Sequence, residues 1–315
     1  MEKPVIGISS CLLGNNVRYD GGHKLDRFLR DVLGKFVDFV PVCPEHECGL
    51  PIPREAMRLV SVDGSIRLLT QKTGKDITPQ MEKWAEPVLE DLAGKRLCGF
   101  VFKANSPSSG MERVKVYNEK GYSQKTGVGI FADMFMKKFP CLPVEEEGRL
   151  NDDNLRENFI ERIFVFQRWN ELLCRKKTVG ELVKFHTAHK YLIMSHSPAG
   201  LKELGKLVAG AKNFPINEVY DNYLELLSKY LKLSATRNKN TNVLQHIMGY
   251  FKNDLTTDEK AELNEVITKY HDGLVPQIVP ITLLNHYVRK YKPEYLADQL
   301  YLNPHPLELK LRNHA

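Results

Sequence analysis

The amino-acid sequence predicts an α/β domain with a mostly parallel sheet at residues 1–148, followed by an all-α domain at residues 149–315. In the first half, short apolar runs that indicate strands alternate with helical patterns, which is typical of a parallel sheet with covering helices. Near Asn151 the pattern changes, and apolar residues then recur with the period of about 3.6 that marks helices. The 315 residues are 42% hydrophobic, so both domains have enough apolar surface to bury a core.

The strands and helices of the first domain follow from apolar runs and from the turn residues between them. Thr78 begins a helix with Pro79 in its first turn and Gly94 behind its last, which is the usual placement of these residues. Asp63-Gly64 between two apolar runs predicts a hairpin turn. The predicted strands are residues 5–9, 36–42 and 98–103, the hairpin is 59–69, and the helices are 24–34 and 78–93.

The second domain is predicted from helical periodicity. Phe159, Ile163 and Phe166 fall on one face of a long helix, and Thr257 with two acidic residues behind it marks a helix start. The predicted helices are 154–174, 179–194, 198–209, 216–231, 241–252, 257–272 and 280–290. A polar, acidic stretch at 145–153 is expected to link the two domains.

Composition and charge exclude a disordered chain and a membrane-spanning protein. The chain carries 45 basic and 39 acidic residues, a net charge of +6 that permits a polyanionic partner without requiring one. No segment approaches the roughly 20 apolar residues of a membrane span, and the first residues lack a signal peptide pattern. We therefore expect a cytoplasmic protein whose 6 cysteines are core residues, metal ligands or nucleophiles rather than disulfides.

Reactive side chains gather where the predicted parallel strands end. The strands end at Cys11, at Cys43 and at the loop 106–110, and the carboxyl ends of parallel strands meet at one edge of a sheet. Glu45 and Lys103 lie beside these ends, and a carboxylate with lysine and serine nearby suits proton transfer. Buried structural cysteines and ordinary turns would give the same local pattern, so a metal or thiolate site and simple packing both remain open here.

Several ordered motifs resemble known families over nearly the whole chain. Those of the first half resemble the TudS thiouracil desulfidase family, namely CLLG at 11–14, VRYDG at 17–21, PVCPE at 41–45, GLPIPR at 49–54 and KANSPS at 103–108. Those of the second half resemble the YbgA-like helical domain, namely LVKFH at 182–186, KYLIMSHSP at 190–198, NVLQHIMGY at 242–250 and PITLL at 280–284. The fusion is similar to RudS-type enzymes, which remove sulfur from 4-thiouridine in tRNA.

The resemblance implies a 4Fe-4S cluster held by three cysteines, with one iron open to the thiocarbonyl sulfur of the substrate. Thiolates are the usual ligands of such clusters, and an open iron can polarise a C=S bond as a Lewis acid. Carried over to this chain, the implied roles are cluster ligands for Cys11 and Cys43, general acid/base for Glu45, orientation or polarisation for Ser106 and Lys103, and substrate binding for Arg18, Asp20 and Ser108.

The chain departs from the family pattern at the third ligand. The family loop reads Ser-Pro-Ser-Cys-Gly, whereas this chain has Ser109 in the cysteine position. A serine hydroxyl is a hard oxygen that is protonated at neutral pH, so it is a poor substitute for a thiolate. Three explanations are open. Ser109 is an engineered substitution, a natural substitution that abolishes the cluster, or a natural substitution after which Cys48 or Cys98 serves as the third ligand. With serine at this position we expect the cluster to be labile or absent, and the activity to be impaired.

The helical domain is expected to bring a larger substrate to the first domain, with thiolated tRNA as the partner. Its candidate RNA contacts are Lys190, Arg237 and Lys239, because basic side chains neutralise phosphates. Three alternatives stay open: a non-catalytic RNA-binding protein with a degenerate cluster site, a desulfidase for free thiouracil bases, and a thiol hydrolase that uses Cys11 or Cys43.

Overall fold

The structure is a computed structural model that describes residues 2–118 and 120–314. The chain divides into two compact units, Met1–Leu155 and Arg156–Ala315. Both β-sheets lie in the first unit, and helices make up the second. The predicted fold class is therefore confirmed, while the predicted boundary between residues 148 and 149 stays a prediction. Within the described ranges, none of the helices has the length and apolar character needed to cross a membrane.

The strands of the first unit form two sheets. In chain order the strands are β1 (Val5–Ser9), β2 (Asp38–Val42), β3 (Met57–Val62), β4 (Ser65–Thr70), β5 (Gly99–Phe102), β6 (Val114–Tyr117), β7 (Ser123–Gly127) and β8 (Val144–Glu146). One sheet has the order β2-β1-β5-β8, and all of its pairs are parallel. The other has the order β4-β3-β6-β7 and mixes parallel and antiparallel pairs.

The parallel sheet is apolar because both of its faces are covered. Ile6 and Ile8 of β1 are fully buried, and so is Phe102 of β5. Gly7 allows close packing at the centre of the sheet, since a Cβ atom there would lie 2.2 Å from the ring of Phe100. All four strands run the same way, so the loops that follow them share one edge of the sheet, as the sequence predicts.

The mixed sheet contains one hairpin that the sequence predicts and one that it does not. Met57–Val62 and Ser65–Thr70 pair antiparallel, and the turn residues Asp63 and Gly64 have positive φ values of 47° and 77°, so the predicted hairpin is confirmed. The β6–β7 hairpin escapes prediction because Ser123–Gly127 is polar and mostly exposed, without the alternation that marks a half-buried strand.

The helices of the first unit are α1 (Pro44–Glu47), α2 (Thr78–Gly94) and α3 (Ile130–Lys138). The prediction for α2 is confirmed to within one residue. The helical stretch predicted at 24–34 is present only from Phe28 onward, where a π-helical turn (Phe28–Val32) and a 3-10 turn (Leu33–Lys35) replace a regular α-helix. The amides of Lys24 and Asp26 donate to the carbonyls of Cys11 and Leu12 at 3.0 and 2.9 Å, which holds the start of this segment against the Cys11 loop and out of a helix.

The acidic stretch at 145–153 begins as a strand rather than as a linker. β8 pairs with β5, and the side chains of Glu145 and Glu146 are buried. Arg149 Nε donates to Glu145 Oε1 at 2.6 Å, and the amide of Met111 donates to Glu146 Oε1 at 2.7 Å. The two consecutive glutamates prevent prediction of this strand from the sequence, since carboxylates are seldom buried unless hydrogen-bond donors pair with them.

Most helices of the second unit follow the predicted pattern closely, but the helix predicted at 241–252 begins and ends four residues earlier, and the helix Glu294–Ala297 is not predicted. The helices of this unit are α4 (Asp153–Leu173), α5 (Val179–His196), α6 (Pro198–Ala209), α7 (Ile216–Leu231), α8 (Arg237–Met248), α9 (Thr257–His271), α10 (Ile278–Tyr291) and α11 (Glu294–Ala297). Trp169 stands at the centre of their core, stacked on Tyr223 with 5.5 Å between ring centroids. Thr178, Ser197 and Thr256 cap three helices with their side chains, each contributing about 1 kcal/mol.

Candidate active site

The loops after the parallel strands enclose one cavity of about 320 Å³ in the first unit. The predicted site residues that line it are Cys11, Arg18, Cys43, Glu45, Lys103, Ser106, Ser108 and Ser109. Asp20 does not line it, but lies 3.4 Å from Arg18 Nε and accepts the amide proton of Gly22 at 3.0 Å. That amide lowers the pKa of Asp20, so its charge holds Arg18 at the cavity wall.

Glu45 has two hydrogen-bonded neighbours that fix both of its carboxylate oxygens. Arg54 donates from Nε to Oε2 at 3.0 Å and makes a second, shorter contact through Nη2. Ser108 Oγ donates to Oε1 at 2.8 Å. The Arg54 and Glu45 side chains are only 4% and 14% exposed, so this ion pair is shielded from solvent and keeps the carboxylate facing the cavity.

Arg54 also joins two of the loops that shape the cavity. Its amide donates to the carbonyl of Tyr19 at 2.8 Å, and its Nη2 donates to the carbonyl of Val17 at 3.0 Å. Arg54 belongs to the family motif at 49–54, but the motif alone assigns no role to it. Its place at the end of that motif is the signal that could have singled it out.

The serine loop 106–110 is held by its own side chains and by α3. Ser106 Oγ accepts the amide protons of Ser108 at 3.3 Å and Ser109 at 3.1 Å. The carbonyl of Ser108 accepts the amide of Ala132 at 3.2 Å, in the first turn of α3. Gly129 is required here, because a Cβ atom would lie 2.5 Å from the backbone of Ser108. The position of Ser109 is therefore set by backbone contacts on both sides.

Lys103 pairs with a residue that the sequence analysis misses. Its Nζ makes a short contact with Glu147 and donates to the carbonyl of Ala104 at 2.9 Å. Its amide donates to Ser9 Oγ at 2.9 Å, which joins β1 and β5 where they end. Glu147 is 44 residues away in the chain, so only the pairing of β5 with β8 brings it to the site.

Two thiols face the cavity, and burial keeps both protonated at neutral pH. Cys11 follows β1 in the 3-10 turn Ser10–Leu13, and burial, aided by the nearby Cys43, raises its pKa to about 11. Cys43 follows β2, and burial raises its pKa as well. The Cys43 sulfur lies 3.7 Å from the carbonyl of Val17. Both thiols would need a bound cation to become thiolates at pH 7.

The other cysteines do not complete a set of three thiols at this cavity. Cys48 Sγ lies 3.3 Å from the carbonyl of Glu45, and Cys48 is absent from the cavity lining. Cys98 is buried just before β5, at the opposite end of that strand. In the described part of the chain, no three Cys, His, Asp or Glu residues are grouped so as to hold a metal ion. Two thiols and the Ser109 hydroxyl do not fit a cluster that needs three thiolates.

The predicted RNA contacts in the second unit have different surroundings. Lys190 Nζ lies over the rings of Tyr191 and Tyr295, 5.6 and 5.7 Å from their centroids. Arg237 is exposed, whereas Lys239 donates to the carbonyls of His196 and Ser234 at 2.8 and 2.9 Å. Arg237 is the most open of the three, while Lys190 and Lys239 already have partners within the unit.

Comparison with known proteins assigns each part of the chain to a family model. Residues 6–147 match the model for 2-thiouracil desulfurase, and residues 190–306 match a model for a protein of unknown function (DUF1722).

Two curated relatives are both described as uncharacterized. YbgA of Escherichia coli (strain K12) is 27% identical over 165 residues, which cover 52% of this chain and 98% of YbgA. YbbK of Bacillus subtilis (strain 168) is 30% identical over 158 residues, which cover 47% of this chain and 99% of YbbK. A solved structure of a protein named 4Fe-4S-dependent thiouracil desulfidase TudS is 30% identical, with a TM-score of 0.39, over 48% of this chain and 95% of that one.

Proposed function

Because the chain belongs to the 2-thiouracil desulfurase family over residues 6–147 and carries a DUF1722 region at 190–306, we propose that it removes sulfur from 4-thiouridine in tRNA. The product is uridine. The observation that carries this proposal is Glu45, a carboxylate held by Arg54 and Ser108 at the wall of a cavity that two thiols also face.

The proposed reaction exchanges one atom of the substrate. A C–O bond forms between water and the thiocarbonyl carbon, and the electron pair of the C=S bond moves to sulfur. The C–S bond then breaks, so that one thiocarbonyl and one water give one carbonyl and one hydrogen sulfide. Glu45 is the group that takes a proton from the attacking water and returns it to the departing sulfur.

The neighbours of Glu45 orient it for this transfer. Arg54 engages Oε2, so Oε1 is the oxygen that accepts a proton, with the Ser108 hydroxyl as its 2.8 Å partner. Arg18 and Lys103 line the cavity and add positive charge to it. Cations placed where negative charge develops on sulfur stabilise the transition state.

Cluster binding is the part of the proposal that this chain supports least. The resemblance implies three cysteine ligands, while the cavity offers Cys11, Cys43 and the hydroxyl of Ser109. A bound cluster would supply an open iron as a Lewis acid for the thiocarbonyl sulfur, and the roles of Glu45, Arg18 and Lys103 do not depend on its geometry. We propose that a 4Fe-4S cluster bound here is labile, and that Ser109→Cys makes it stable.

The proposed function is tested with 4-thiouridine-containing tRNA and with free 2-thiouracil, using protein reconstituted anaerobically with iron and sulfide. The expected result is one sulfide released for each uridine formed, with a higher kcat/KM for the tRNA. A higher kcat/KM for the free base would assign the enzyme to thiouracil instead. Binding of tRNA without any sulfide release would contradict catalysis and favour a non-catalytic RNA-binding protein.

Two variants tie the activity to the carboxylate. Glu45→Gln keeps the size of the side chain but replaces one carboxylate oxygen by an NH2 group and so removes the base, and we expect kcat to fall by about 100-fold or more. Glu82→Gln is the matched control, because Glu82 is exposed on α2 and should leave the rate unchanged. A thiol hydrolase would instead keep its rate in Glu45→Gln and lose it on alkylation of Cys11 or Cys43 in metal-free protein.

A further inference from the structure

A second cavity lies in the helical unit, between α10 and the turns that follow residue 302. It measures about 440 Å³, within the range of about 300–1,000 Å³ that is common for sites of small ligands. Ile281, Leu302 and Leu311 line it, and none of the three is more than 5% exposed. Leu307 lines the cavity as well and is 68% exposed, so it offers an apolar surface on which the flat face of an aromatic ring can pack.

The polar part of this cavity carries uncompensated positive charge. Arg289 and Lys310 line it, and no aspartate or glutamate among the described residues does. Arg289 Nε donates to the carbonyl of Asn285 at 3.3 Å, within its own helix. In the part of the chain that the structure describes, no carboxylate pairs with either cation. Arg312 differs, since Glu157 and Glu161 lie 3.2 and 3.3 Å from its guanidinium.

His305 adds a buried acceptor to the same cavity. Its Nδ1 lies 3.2 Å from the carbonyl of Pro306, which assigns the ring proton to Nδ1 and leaves Nε2 as an acceptor. Nε2 is buried and has no hydrogen-bond partner among the described residues. Burial lowers the pKa of His305 to about 4, so the ring is neutral at pH 7. A donor from a ligand can bond to Nε2 once the side chains that cover this atom move aside.

From these three observations we propose that the cavity binds one nucleotide. Its phosphate lies on Arg289 and Lys310, its base packs on the aliphatic side chains, and a hydroxyl or N–H group donates to His305 Nε2. A phosphate is best held by cations that internal carboxylates do not already neutralise. The choice of a nucleotide rests on the proposed function, because an enzyme that acts on tRNA has to hold RNA. The source is an RNA chain or a free nucleotide.

The test compares two double variants of the full-length chain. Arg289→Gln with Lys310→Gln changes the cavity, and Lys202→Gln with Lys206→Gln removes the same charge from the exposed side of α6. Binding of an unmodified tRNA transcript and of uridine 5′-monophosphate is measured at several salt concentrations. We expect the cavity variant to raise the Kd for tRNA by about tenfold or more and to lower the salt slope by about two. The control variant should change both much less.

A pair of variants at His305 tests the acceptor without any change in charge. His305→Leu removes the acceptor and should weaken binding several-fold, whereas His305→Gln keeps an acceptor oxygen and should restore most of the affinity. Thermal melting of each variant shows that the helical unit is folded. Equal loss of affinity in both His305 variants, with unchanged melting, would contradict the role of Nε2.

The remaining outcomes separate the two sources and the two proposals. Loss of binding of uridine 5′-monophosphate alone in the cavity variant assigns the site to free nucleotides, and loss of tRNA binding assigns it to RNA. Equal binding of both ligands by the cavity and control variants overturns the nucleotide site. Sulfide release from 4-thiouridine-containing tRNA by the original chain is measured in parallel, and its failure would count against the proposed function alone.

Discussion

Glu45 owes its position to side chains that are distant in the sequence. Arg54 is 9 residues away and Ser108 is 63 residues away, yet both reach the same carboxylate. Because the ion pair is nearly buried, its partners are coupled: loss of Arg54 leaves a shielded carboxylate without its counter-charge. Such losses cost far more than the loss of an exposed ion pair.

Replacement of Arg54 therefore reports on the site more directly than replacement of a surface cation. We expect Arg54→Met to lower the free energy of unfolding of the first unit by about 3 kcal/mol, and to lower kcat as Glu45 loses its orientation. Urea unfolding and sulfide release measure the two effects. Arg30→Gln is the control, since Arg30 and Asp31 are 47% and 48% exposed and such an exposed pair contributes little to stability. Equal effects of the two variants would refute the anchoring role.

The site residues that follow strand ends are predictable from the sequence, whereas the residues that form ion pairs with site residues are not. Cys11, Cys43 and Lys103 are predictable because each comes directly after an apolar run. Arg54 and Glu147 are not, since each acts through a contact that only the folded loops and the β5–β8 pair create. A carboxylate or guanidinium in a loop has the same local pattern whether it pairs with solvent or with a catalytic group.

Helices α4 and α5 are joined by a buried ionic cluster. Glu161 of α4 has His196 Nε2 of α5 at 3.1 Å and Arg312 Nη2 at 3.3 Å, and all three side chains are buried. Burial by itself raises the pKa of Glu161, but the hydrogen bond with His196 and the charge of Arg312 outweigh it and lower the pKa to about 2. The carboxylate is therefore charged in the folded unit at neutral pH.

The sign of the resulting pH dependence follows from this lowered pKa. The stability that Glu161 contributes is fully present above its unfolded value of 4.5 and is lost as the pH falls from 4.5 towards about 2. We expect Glu161→Gln to lower the free energy of unfolding by about 3 kcal/mol at pH 7, and the difference from the original chain to shrink over that acid window. Denaturant unfolding at several pH values measures this difference.

The control for this prediction is Glu225→Gln, since Glu225 is exposed on α7 and should leave stability nearly unchanged at every pH. A constant difference between Glu161→Gln and the original chain from pH 7 to pH 2 would show that Glu161 acts through packing and not through its charge.

Helices with a clear hydrophobic period are predictable from the sequence, whereas elements that depend on contacts with distant residues are not. α5 to α7 and α9 follow their predicted limits closely because each has an apolar stripe and a marked start. β8 is missed because its two glutamates find partners only after folding. The segment 24–34 is predicted as a helix from its apolar spacing, but its first residues donate hydrogen bonds to the Cys11 loop, and helical turns begin only at Phe28.

The chain as a whole combines a desulfurase-family unit with a helical unit that holds a basic cavity of its own. The net charge of +6 permits an RNA partner, and we propose that the cations of the second cavity bind one of its nucleotides. The fold class could be predicted from alternation and periodicity alone. The chemistry could not, because a set of cysteines and serines in loops specifies a reaction only together with the family motifs that surround them.

Ser109 decides whether this chain can hold the cluster that its resemblance implies. The most direct measurement is the iron and acid-labile sulfide content after anaerobic reconstitution, together with sulfide release from thiolated tRNA, for the original chain and for Ser109→Cys. We predict that Ser109→Cys retains close to one four-iron cluster per chain and desulfurates the tRNA, while the original chain loses its iron and most of the activity. Failure of both proteins to bind iron and to release sulfide would contradict the desulfidase account.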